Sequence, residues 1–63
     1  MGLNFSAYIR NYRIGKAKQL LVSGNMKVYE VAEEVGYQDS KYFSRVFRQV
    51  TGQKPDEYRK NKR

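Results

Sequence analysis

The chain has 63 residues and a formal net charge of +7, with 13 Lys and Arg against 6 Asp and Glu. It contains no cysteine and no histidine, which excludes a disulfide framework, a typical zinc site and the common catalytic bases and nucleophile pairs. A chain this short makes at most one small domain, and it buries only about 60% of its unfolded surface.

Other classes fall away on pattern. No apolar run approaches the roughly 20 residues that a membrane span needs, and no membrane-surface partner is expected, because each helix's apolar face is explained by packing within the chain. No signal-peptide pattern appears, and the lack of Cys fits a reducing compartment such as the cytoplasm. No glycine-rich phosphate loop or metal-ligand spacing is present. Glu33 and Glu34 read as solvated helix-surface charges. No enzymatic activity, cofactor or metal is expected.

The placement of charge says more than its size. Before Glu30 the basic residues are Arg10, Arg13, Lys16, Lys18 and Lys27, with no acidic residue among them. From Ser40 to Lys54 come Lys41, Arg45, Arg48 and Lys54, again without an acid. The acids gather at Glu30, Glu33, Glu34, Asp39, Asp56 and Glu57. Several of these sit where a helix begins, where the macrodipole favours them. A basic field of this kind favours a polyanionic partner.

Met1 to Leu3 read as start residues. A first helix is predicted from Phe5 to about Val22, with Asn4 as its cap and Gly15 as its one weak interior position. At about 100° per residue, Phe5, Tyr8, Ile9 and Tyr12 share one direction, and Ile14, Ala17, Leu20 and Leu21 centre on another about 140° away. Two apolar faces at two ends of one helix predict two cores, of which this chain supplies one. The alternative is that all these residues share one loose core.

Ser23-Gly24-Asn25 ends that helix, with Gly24 suited to the left-handed position. A short second helix, about Val28 to Val35, buries Val28, Val31, Ala32 and Val35 at helical spacing. Lys27 stands where a Ser or Asp cap would be better, a mismatch that a nearby phosphate would relieve. Gly36 allows a sharp turn, and Tyr37 is expected to be buried. Asp39 caps the third helix, Ser40 to Thr51. One face of it carries Phe43, Val46, Phe47 and Val50. Another carries Lys41, Arg45 and Arg48, with Ser40 and Ser44 beside them. That basic face suits a DNA groove; the plainer reading is a solvated surface helix. Gly52 closes the helix. Pro55 starts a short last helix with Tyr58 as an anchor, and the tail from Lys60 to Arg63 is expected to fray.

A helix, a short turn containing Gly and a second helix with an outward basic face make the helix-turn-helix pattern. The predicted class is all-α: a long linker helix (4–23), a helix-turn-helix subdomain (24–59) and a basic tail (60–63), in a homeodomain-like three- or four-helix arrangement.

The residues also carry a resemblance. Tyr8, Arg13-Ile14, Ala17 and Leu20-Leu21 come first. Val28, Glu30-Val31-Ala32, Val35-Gly36-Tyr37, Asp39-Ser40, Tyr42-Phe43-Ser44-Arg45 and Phe47 follow. Thr51-Gly52, Pro55 and Tyr58-Arg59 complete the pattern. Together they resemble the C-terminal half of the DNA-binding domain of AraC/XylS bacterial transcription regulators, and they are most similar to the YesN-like response regulators of two-component systems. The resemblance implies a fragment of a longer regulator in which a first helix-turn-helix unit precedes the linker helix. Alone, the fragment would then bind DNA weakly.

Family likeness places the start of the third helix in the major groove of double-stranded DNA. The base-facing residues would be Ser40, Lys41, Ser44 and Arg45. Their chemistry agrees: Arg45 can pair with guanine O6 and N7, and Lys41 can donate to the same edge. Contact with a phosphate, or with solvent alone, remains an alternative for Arg45. Arg48, one turn on, reads as a phosphate contact. Lys27 and Lys54, each near a helix start, are candidate phosphate clamps. Tyr42 either packs at the rim or reaches a phosphate with its hydroxyl. Arg13 is expected to be structural. RNA polymerase is an expected partner through the parent protein. The competing function is a protein-interaction module, in which Phe5, Tyr8, Ile9 and Tyr12 pair with another subunit, as in self-association, or with RNA polymerase.

Overall fold

The computed structural model describes residues 5–62. Expectations for Met1 to Leu3, the Asn4 cap and Arg63 lie outside the described residues. Four helices follow in order: α1 (Phe5–Ser23), α2 (Val28–Glu34), α3 (Ser40–Thr51) and α4 (Pro55–Lys62). Among the described residues there is no strand, and no helix is long and apolar enough to cross a membrane.

One core joins them. The second half of α1 contributes Ile14, Ala17 and Leu21, α2 contributes Val31 and Ala32, and α3 contributes Phe43, Val46 and Phe47. Val35 and Tyr37, in the turn, close it. Leu20 and Val28, expected inside, are partly buried and pack against the cluster. An aromatic series threads the core. Ring centroids are 5.9 Å apart for Tyr42 and Tyr37, 5.6 Å for Tyr37 and Phe43, 5.8 Å for Phe43 and Phe47, and 5.5 Å for Phe47 and Tyr58. Tyr58 thereby anchors α4. Burying each large apolar side chain contributes about 1.5–3 kcal/mol, which a domain without crosslinks needs.

The two faces of α1 separate as their angles predict. Phe5, Tyr8 and Tyr12 are 72%, 65% and 68% exposed, while Ile14, Ala17 and Leu21 are fully buried. The first half of α1 thus projects beyond the core, although Ile9 is half-buried.

The turn between α2 and α3 is built on Gly36. Its φ is +100°, a region that L side chains rarely adopt. Tyr37 N–H donates to Ala32 O at 2.8 Å and Gly36 N–H to Glu33 O at 3.1 Å, which is a Schellman closure of α2. Asp39 then caps α3, its carboxylate accepting from Lys41 N–H at 2.9 Å and Tyr42 N–H at 3.4 Å. Gly52, at φ +84°, ends α3 and donates to Arg48 O at 2.8 Å.

Three local expectations are corrected. Gly24 is not left-handed; among the described residues only Gly36 and Gly52 have positive φ. The end of α1 is held instead by Arg59, whose Nε donates to Leu21 O at 3.0 Å and whose second guanidinium nitrogen donates to Met26 O. Val50 is 36% exposed, because it lies on the last turn of α3, beyond the stretch that carries the buried Phe43, Val46 and Phe47. Finally, α4 continues to Lys62, with Lys62 Nζ 5.7 Å from the Tyr58 ring centre. Basic residues in that last turn suit the helix dipole, so the segment 60–62 is helical rather than frayed.

Candidate nucleic-acid interface

The burial of Phe43, Val46 and Phe47 turns the opposite side of α3 outward. Lys41, Arg45 and Arg48 are exposed there, and Ser40 and Ser44 are half-buried at its edge. Asp39 fixes the start of this face, because its carboxylate holds the backbone of Lys41 and Tyr42.

The far end of the face is fixed by the turn into α4. The Thr51 hydroxyl lies 2.9 Å from Phe47 O and 3.0 Å from Gln53 O, either of which can take its proton, and it accepts from Gln53 N–H at 3.1 Å. Lys54 N–H donates to Glu57 Oε1 at 3.0 Å. These bonds bring Lys54 back beside α3. Ser44, Arg45, Arg48, Gln49 and Lys54 line one open cleft of about 490 Å³. No acidic residue lines it, and among the described residues none of these cations is held in an ion pair. The arrangement leaves two guanidinium groups and an ammonium able to donate to anionic oxygens.

Four of the eight sequence-predicted contact residues therefore converge: Ser44, Arg45, Arg48 and Lys54. Ser40 and Lys41 lie about one turn earlier on the same helix. Tyr42 belongs to the other edge of α3. It is 54% exposed and lines a second cleft, shared with the first half of α1. Lys27 stands apart at the start of α2. An ammonium has no acceptor for a helix cap, and the Lys27 side chain makes no capping bond. Glu30 compensates, its Oε1 accepting from Lys27 N–H at 2.7 Å. The same Lys-then-Glu device opens α4, at Lys54 and Glu57. Gln49 was not singled out by the sequence, although its spacing of i+4 from Arg45 puts it on the same face.

Arg13 has the structural role expected of it. Its Cζ lies 5.3 Å from the Tyr37 ring centre. A Cβ added at Gly36 would come within 3.3 Å of the same atom. One arginine of α1 therefore braces the turn that aims α3.

Residues 1–61 match the family model described as a helix-turn-helix domain. The chain is 43% identical over 60 residues to the HTH-type transcriptional regulator YisR of Bacillus subtilis, covering 95% of this chain and 21% of that protein. It is 39% identical over 59 residues to the arabinose operon regulatory protein of Escherichia coli, covering 94% of this chain and 20% of that one. The chain belongs to the AraC-type helix-turn-helix family. In three dimensions it is similar to the C-terminal domain of the two-component response regulator yesN from Fusobacterium nucleatum. That comparison gives a TM-score of 0.89 at 39% identity and covers 94% of this chain and 57% of that one. The chain spans about a fifth of the length of the curated relatives named here.

Proposed function

We propose that this AraC-type unit binds double-stranded DNA sequence-specifically, with α3 in the major groove, as part of a cytoplasmic bacterial transcription regulator. The observation that carries the reading is the acid-free basic face of α3, converging with Lys54 on one cleft while the opposite face is locked in the core. A major groove about 12 Å wide admits such a helix. Ser40, Lys41, Ser44 and Arg45 read base edges; Arg45 is suited to a bidentate pair with guanine. Arg48, Lys54, Lys27 and Tyr42 hold phosphates, which position the protein without reading sequence. The test is selection of bound duplexes from a random library by the 63-residue chain. Enrichment of a common site supports specific reading. Salt-sensitive binding with no enrichment reduces the function to non-specific association.

A second reading has its own observation, the exposed Phe5, Tyr8 and Tyr12. An exposed apolar patch marks an interaction surface, here for self-association or for another part of the parent protein. Tyr8→Ser with Ile9→Ser separates the two. Loss of oligomers in sedimentation with DNA binding intact assigns the patch to association; loss of DNA binding ties it to the reader.

A further inference from the structure

The second cleft has a composition that the reading face does not explain. On α1 the buried line through Ala17 runs back, at spacings of three and four, through Arg13, Arg10 and Ser6. The line is apolar where it meets the core and becomes basic and hydroxylated where α1 projects past it. It faces the Tyr42–Val46 edge of α3 across an open cleft of about 520 Å³, lined by Ser6, Ile9, Arg10, Arg13, Tyr37 and Tyr42 among others. No acidic residue lines that cleft.

The two arginines there differ in what they already do. Arg13 is engaged with the Tyr37 ring and lies against Gly36. Arg10 is exposed, and among the described residues its guanidinium has no hydrogen-bond or ion-pair partner. Tyr42 is exposed across from it, directly after Lys41 on the reading helix. Two arginines and a tyrosine lining one open cleft, with no carboxylate among its lining residues, match a tetrahedral oxyanion.

We infer that the cleft between the first half of α1 and the Tyr42 edge of α3 seats a backbone phosphate of the DNA that α3 reads, with Arg10 as its principal ligand. The inference rests on the DNA-binding reading above and adds to it a contact from the linker helix. The charge balance favours a phosphodiester over an apolar partner segment, because an apolar segment would leave Arg10 desolvated and unpaired. Such a contact fixes the register of α3 in the groove but reads no base. It also makes α1 part of the nucleic-acid interface rather than only a connector.

The test uses the 63-residue chain, a duplex enriched from the random library and a scrambled duplex of the same length, titrated across a salt series. Arg10→Gln is expected to weaken both duplexes alike, by roughly tenfold at low salt. The slope of log affinity against log salt should fall by about one. Arg10→Lys should recover most of that loss, and Tyr42→Phe should give a smaller loss of the same non-specific kind. Thermal unfolding should not move with Arg10→Gln, because the side chain is exposed. Unchanged affinity and slope for Arg10→Gln, with the wild type binding normally, overturns the phosphate seat and leaves the groove reading standing. A loss confined to the enriched duplex makes Arg10 a base reader and also overturns it. A wild-type chain that binds neither duplex removes the DNA reading itself and this inference with it.

Discussion

Arg59 Nε donates a 3.0 Å hydrogen bond to the carbonyl oxygen of Leu21, across a sequence separation of 38 residues. The same guanidinium donates to Met26 O. One side chain from the last helix thus satisfies carbonyls at the end of α1 and in the loop before α2. Helix C-termini leave four carbonyls without intrahelical partners, and Gly24 does not supply the usual left-handed closure. Arg59→Ala should therefore cost about 1.5–3 kcal/mol, a fall in Tm of roughly 6–24 °C for a domain of this size. Arg59→Lys should recover only part of this, because an ammonium lacks the planar fork that spans two acceptors. Thermal unfolding monitored by circular dichroism checks both. An unchanged Tm for Arg59→Ala would mean that water serves these carbonyls equally well.

Two glycines should respond in opposite directions. Gly36 has φ +100°, and an added Cβ would press on Arg13. Gly36→Ala should destabilise by about 1–2 kcal/mol from backbone conformation alone, with further loss from displacing Arg13. Gly15 lies inside α1, and an added Cβ there would meet nothing within 4 Å. Gly15→Ala should stabilise by about 0.5–1 kcal/mol. Chemical denaturation of the two variants measures both signs in one experiment.

Asp39 caps the helix that carries the exposed basic face. Asp39→Ala should destabilise the fold by about 0.5–2 kcal/mol, and Asp39→Asn by less, since Asn is also a good cap. Denaturation midpoints check the order. If the two variants lost stability equally, the carboxylate would be acting through charge rather than through its bonds to Lys41 and Tyr42.

Much of this was legible in the sequence because the determinants are local. The Phe43, Val46, Phe47 stripe, the Asp39 cap and the Gly36 and Gly52 turns are each written in residues within one or two turns of each other. What escaped depends on distance in sequence. Gly24 has the residue type of a left-handed cap but does not adopt it, and the carbonyls of Leu21 and Met26 are bonded instead by Arg59, in another helix. Val50 fits the period of the buried stripe, and periodicity is blind to how far along α3 the packing extends. At the candidate site, Lys41, Arg45 and Arg48 could be grouped from spacing alone. Lys54 joins Arg48 only through the Thr51–Gln53 turn. Arg10 comes to face Tyr42 only because α1 projects past the core and lies across α3.

The central claim is that α3 reads bases through Arg45. The most direct measurement is the affinity of the 63-residue chain for the library-enriched duplex and for a scrambled duplex, with and without Arg45→Ala. The wild type should prefer the enriched duplex. Arg45→Ala should lose about 1–3 kcal/mol of discrimination at one base pair, while its affinity for the scrambled duplex changes far less. Equal wild-type affinity for the two duplexes, or an Arg45→Ala variant that weakens both equally, would contradict it.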